Sequence, residues 1–141
     1  METGKPPRGR TATCACGSVK VLARGEPAGV VACHCLACQR RTGSVLGVGA
    51  YYPEERVSVS GATTEFVRAA DSGNSFTTHF CPTCGTSVYW STPRNPGLLG
   101  IAVGAFGDPS FPPPGRSVWE ESRHRWVDVG VAEQHFPKGR V

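Results

Sequence analysis

The chain has 141 residues with Gly 18, Pro 12 and Cys 7, and a net charge of +4. That length is one domain with a modest core, and no apolar run is long enough to cross a bilayer. The charge sits at the ends: Lys5, Arg8 and Arg10 stand against Glu2 in the first ten residues, and Lys138 and Arg140 close the chain. The body between them is neutral, so the counterion release expected of a nucleic-acid binder is weak.

Residues 1–10 carry charge and prolines without an apolar core, and read as a flexible basic tail, not a secretory leader. Short strands then follow, bounded by Gly or Pro, as in an all-β domain. Val19, Val21 and Ala23 alternate with polar or exposed partners; Val30 to Cys35, Val45 to Tyr52 and Val57 to Ser60 come next. Thr64 to Arg68, a turn at Asp71 to Asn74, Ser75 to Phe80, Ser87 to Ser91, Leu98 to Val103 and Val118 to Glu121 complete the series. Leu36 to Thr42 is the one helical segment, too short to stand unless its start is held. Phe111-Pro-Pro-Pro-Gly115 reads as an extended connector. The expected domain spans residues 11–137, with 138–141 as a C-terminal tail.

All seven cysteines fall into three packets: Cys14-Ala-Cys16, Cys33-His-Cys35-Leu-Ala-Cys38 and Cys81-Pro-Thr-Cys84-Gly85. An odd count without a leader argues against a disulfide framework and for a reducing, cytoplasmic setting. Thiolates two or three residues apart converge on a soft cation, and seven of them suffice for one closed four-thiolate zinc site and one three-thiolate site with a free position. Residues i and i+2 of an extended segment share a face, so Cys14 projects with Cys16 and Cys33 with Cys35, while His34 points away. Cys81 to Gly85 has the form of a zinc knuckle, which is half a site. Spacing leaves two completions open: Cys14 with Cys16, or two of the central cysteines.

The order Cys-x-Cys-Gly (Cys14, Cys16, Gly17), Cys-His-Cys-x-x-Cys with Thr42-Gly43-Ser44, and Phe80-Cys-x-x-Cys-Gly85 resembles the family of glutathione-dependent formaldehyde-activating enzymes and the centromere-protein-V domain. Val103-Gly-Ala-Phe-Gly-Asp-Pro-Ser110 and Val118 to Trp126 look similar too, so the resemblance covers about residues 11–137. It implies a mainly β, tent-like single domain of short antiparallel strands with two zinc ions. It assigns Cys14, Cys16, Cys81 and Cys84 to a structural zinc, and Cys33, Cys35 and Cys38 to a catalytic one. It also implies carbon–sulfur lyase chemistry, in which a small thiol such as glutathione is joined to, or released from, an aldehyde.

Other residues are candidates on chemical grounds. His34 has the pKa range of a general base. Arg40 and Arg41 follow the central packet and could clamp carboxylates of glutathione or its aldehyde adduct. His79 precedes the knuckle, and Trp126, among Arg123, His124 and Arg125, is the one tryptophan with the setting of a pocket rim. Trp90, Trp119, Phe66, Phe76 and Phe80 read as core. Specificity is expected in loops 53–56, 71–75 and 92–97. Two other functions fit the cysteines: a zinc-held interaction module without catalysis, and a thiol redox or zinc sensor.

Overall fold

In the computed structural model, which describes residues 9–69 and 73–139, the chain is mainly β, with one α-helix among these residues. The strands are β1 (Gly9–Thr13), β2 (Lys20–Arg24), β3 (Gly29–Cys33), β4 (Gly47–Pro53), β5 (Val57–Ser60), β6 (Thr64–Ala69), β7 (Ser75–Phe80), β8 (Ser87–Ser91), β9 (Leu98–Ala102), β10 (Arg116–Val118) and β11 (Gln134–His135). Helix α1 is Leu36–Thr42. β1, β2 and β5 form a three-stranded sheet, and the other eight are ordered β11-β10-β3-β4-β9-β8-β7-β6.

Strand alternation gives the larger sheet two different faces. Val30 of β3, Ala50 and Tyr52 of β4 and Ile101 of β9 turn to one side, where they meet Ala12, Val21 and Ala23 of the small sheet and Phe111. That side is the hydrophobic core. Their neighbours Gly29, Val31 and Cys33 of β3 and Gly47, Gly49 and Tyr51 of β4 turn to the other side, where they line a cavity. A period of two thus assigns successive residues of one strand to stability and to the site.

The ends of the domain, the direction of two pairings and one strand differ from the expectation. β1 starts at Gly9, inside the segment read as a tail, and Gly9 and Arg10 pair with Arg24 and Ala23. Residues 1–8 lie outside the described residues. The pairing of β10 with both β3 and β11 is parallel, so the sheet is not wholly antiparallel. At the far end, Lys138 is engaged by its carbonyl, which accepts from Trp119 N–H at 2.8 Å. The chain read as one strand from Val118 to Glu121 in fact leaves β10 at Val118 and turns into a short 3-10 helix at Glu120–Ser122.

Candidate metal centres and the cavity beside the trio

The packet ahead of β2 and the knuckle after β7 meet at one place. The sulfurs of Cys14, Cys16, Cys81 and Cys84 lie within 4.8 Å of one another. Cys14 and Cys16 are 3.6 Å apart, and Cys16 and Cys81 3.7 Å. Four sulfurs about 2.3 Å from a tetrahedral zinc stand ~3.8 Å from each other, so the spacing fits that ion. It is far beyond a disulfide bond, and all seven cysteines are free.

Backbone donors fix these sulfurs in place. Val19 N–H donates to Cys14 Sγ at 3.2 Å, and Thr83 and Cys84 N–H donate to Cys81 Sγ at 3.4 and 3.5 Å. Ala15 N–H donates to Thr86 Oγ1 at 3.0 Å and ties the two halves together. Gly85, at φ 80°, takes the left-handed turn that closes the knuckle. Hydrogen bonds from Ser18 bring the Cys81 thiol down to about 7, and those from Thr86 bring Cys84 down to about 5, which favours the ligand form. Cys14 and Cys81 are buried, and none of the four lines the cavity.

The central packet forms a separate trio. Cys33 ends β3, Cys35 is the N-cap of α1, and Cys38 lies one turn on, with its N–H donating to Cys35 Sγ at 3.3 Å. Their sulfurs also lie within 4.8 Å of one another. Contact with Cys33 and Cys38 holds the Cys35 thiol down to about 2, while Cys33 is pushed up, chiefly by its contact with Cys35. Three sulfurs this close cannot all be thiolates by themselves; all three would ionise together only with a cation to balance them. The structure thus decides between the two completions: the knuckle joins Cys14 and Cys16, and the trio stands alone.

Unlike the four-cysteine set, the trio opens onto a cavity of about 270 Å³. A model of the family described as glutathione-dependent formaldehyde-activating enzyme matches residues 9–122. The chain belongs to this family. Among solved structures, a Rhodobacter sphaeroides protein is similar over 89% of this chain and 98% of its own, with a TM-score of 0.53 and 20% identity, which is a likeness of fold. No curated protein matches.

The cavity of this formaldehyde-activating-enzyme family member has an aromatic wall. The indole of Trp90 reaches over β9 to β4, and a Cβ built at Gly49 would stand 2.5 Å from its Cζ2. Trp90 Nε1 donates to Tyr51 Oη at 3.2 Å. The Arg41 guanidinium lies 4.3 Å over the Trp90 ring, Phe76 packs 6.1 Å from Trp90, and Arg68 lies 4.4 Å over Phe76. The series Arg41, Trp90, Phe76, Arg68 holds two cations by aromatic faces. Gly47 makes room for it, since a Cβ there would meet Arg41 Nη2 at 2.7 Å.

Several candidates from the sequence stand elsewhere. His34 is fully buried, with Nε2 2.8 Å from Ser117 Oγ, and burial pushes its pKa down. Its side chain does not line the cavity, so the structure gives it no reach to a substrate proton there. Arg40 is exposed and off the cavity, whereas Arg41 lines it; neighbours on a helix point about 100° apart. His79 stacks on Tyr89 at 4.3 Å, away from the cavity, and Trp126 is 76% exposed against His124, forming no part of the rim. Of the expected specificity loops, 92–97 contributes Thr92, Arg94 and Asn95; 53–56 contributes nothing, and 71–72 lie outside the described residues.

Sequence reasoning missed Arg68, Arg94, Arg116 and Trp119 as cavity residues, and read Trp90 and Phe76 only as core. One signal was structural: Trp119 sits at φ 58°, a costly conformation for a bulky side chain that is common near sites.

Proposed function

We propose that this protein is a zinc-dependent carbon–sulfur lyase that makes or breaks a thiol–aldehyde adduct. Family membership supports the reading, and one observation carries it: the three sulfurs that stand apart from the closed four-cysteine set are the ones exposed to a cavity. Cys14, Cys16, Cys81 and Cys84 would hold a structural zinc, and Cys33, Cys35 and Cys38 a second one with a free fourth position. Zinc held by this trio would supply a Lewis acid able to keep the sulfur of a bound thiol as thiolate at neutral pH.

The chain's own residues supply the rest. Arg41 presents its guanidinium beside Cys38 and binds a carboxylate of a thiol such as glutathione bidentately. Trp90, Phe76 and Tyr51 wall the cavity and exclude water from the reacting sulfur. Three thiolates around a divalent ion would carry net charge −1 and weaken its pull, so orientation by this wall and Arg41 would contribute much of the rate.

The test is Cys35→Ser, assayed for release of formaldehyde from S-hydroxymethylglutathione. Serine keeps the N-cap of α1, so the fold persists while turnover is lost. Full turnover in the variant sinks the mechanism.

A further inference from the structure

The cavity beside the cysteine trio is lined by Arg41, Arg68, Arg94 and Arg116, and by no aspartate or glutamate among the described residues. These arginines come from four different places, α1, β6, the β8–β9 loop and β10, and β6 and β10 lie near opposite ends of the larger sheet. The fold therefore gathers the four cations around one space. No ion pair joins any of them to a carboxylate among the described residues. Two are held by ring faces instead, Arg41 by Trp90 and Arg68 by Phe76, and Arg41 Nε is buried without a hydrogen-bond partner. An aromatic face positions a guanidinium without neutralising it, so its fork of donors stays available to an anion. Arg10 offers a contrast in the same chain, since its guanidinium is spent on Glu26 at 3.2 Å.

We infer that the thiol this site takes is a small dianion without an ammonium group, for example a thiol carrying two carboxylates whose amine, if it has one, is acylated. The anions would be met by forks of Arg41, Arg68, Arg94 and Arg116, with the aliphatic part on Phe76, Trp90 and Leu98. Glutathione meets half of this description: it has two carboxylates but also an ammonium, which four guanidiniums repel and no lining carboxylate receives. A cavity of about 270 Å³ suits a ligand of modest size. The inference rests on the lyase reading for the role of the sulfur, but not for the recognition of the anion.

The experiment therefore measures binding of thioethers, which need no turnover. Zinc-loaded protein is titrated calorimetrically with S-methylglutathione, N-acetyl-S-methylglutathione and methylthiosuccinate at low and high salt. The N-acetylated ligand should bind on the order of tenfold tighter than its parent, a change worth about 1.4 kcal/mol. Methylthiosuccinate should bind as well, and both should weaken as salt rises. Arg68→Gln and Arg94→Gln, each expected to fold because one side chain is on an edge strand and the other in a loop, should each weaken binding several-fold; Arg125→Gln, an exposed charge off the cavity, should not. Equal or weaker binding of the N-acetylated ligand, or arginine variants that bind like wild type, would overturn the inference. If arginine-dependent binding is found while no thiol–aldehyde pair turns over, the lyase reading fails and the anion site stands.

Discussion

Gly100→Ala tests whether the aromatic wall of the cavity is built on missing side chains. Gly100 of β9 lies opposite both Trp90 and Tyr51 in the sheet. A Cβ there would overlap the Trp90 indole at Nε1, and would stand 2.5 Å from its Cε2 and 2.8 Å from its Cδ1. Trp90 is 3% exposed, and its ring is held between Arg41 and Phe76, so moving it off β9 disturbs both contacts. Alanine in a strand position that does not need positive φ ordinarily gains about 0.4–1 kcal/mol through the unfolded chain. Overpacking costs about 1–3 kcal/mol, and loss of the Trp90 to Tyr51 hydrogen bond about 1 kcal/mol more. The costs win, and the net expectation is a loss of roughly 1–3 kcal/mol. Urea unfolding followed by far-UV circular dichroism should show a lower midpoint at an unchanged slope. Gly104→Ala is the matched control, because nothing stands within 4 Å of its Cβ; it should be neutral or slightly stabilising. A Gly100→Ala protein as stable as wild type would refute the packing argument and the cavity wall drawn from it.

Cys81→Ser would remove one of the four ligands of the proposed structural zinc, and structural zinc contributes about 10–16 kcal/mol in small metallodomains, as much as a whole domain's stability. The variant should lose cooperative unfolding and the zinc of that site; a wild-type midpoint would show that the four-cysteine set is not a structural centre. His135 and Glu120 make a pH-dependent pair, with Nδ1 2.7 Å from Oε2. The hydrogen bond to Glu120 raises the His135 pKa above its usual value. Burial opposes the charge of Glu120, but the hydrogen bonds from His135 and Ser117, with the charges of His135 and Arg123, together outweigh it and hold the carboxyl below its usual value. The histidine's share of stability is thus full below about pH 6.5 and is lost as pH rises through its raised folded pKa, while the glutamate's share is lost only as pH falls through a depressed one. Glu120→Gln should flatten the fall in midpoint above neutrality; an unchanged pH profile would contradict the pairing.

The strands were legible wherever apolar residues alternate between Gly or Pro boundaries, and α1 was legible to the residue because the Cys33 to Cys38 packet starts it and Gly43, at φ 71°, ends it. β1 was not, because Gly-Arg-Thr-Ala-Thr has little alternation of its own and becomes a strand by pairing with β2. The parallel contact of β10 with β3 joins residues 85 apart, Arg116 with Val31, and local pattern carries no trace of it. In the site, the spacing of the cysteines disclosed three packets but left open which of them completes the knuckle, and the meeting of the two outer packets in space answers it. Arg40 and Arg41 are equivalent as letters; only the turn of the helix separates them. Arg68, Arg94 and Arg116 share no motif, since the sheet brings them together from distant strands and a loop.

The most direct test of the open trio is zinc per chain, by elemental analysis of protein purified under reducing conditions without added metal. The account predicts two in the wild type and one, with the fold retained, when Cys35 and Cys38 are both replaced by serine. One zinc in the wild type, or two in the double variant, would contradict a metal centre at Cys33, Cys35 and Cys38.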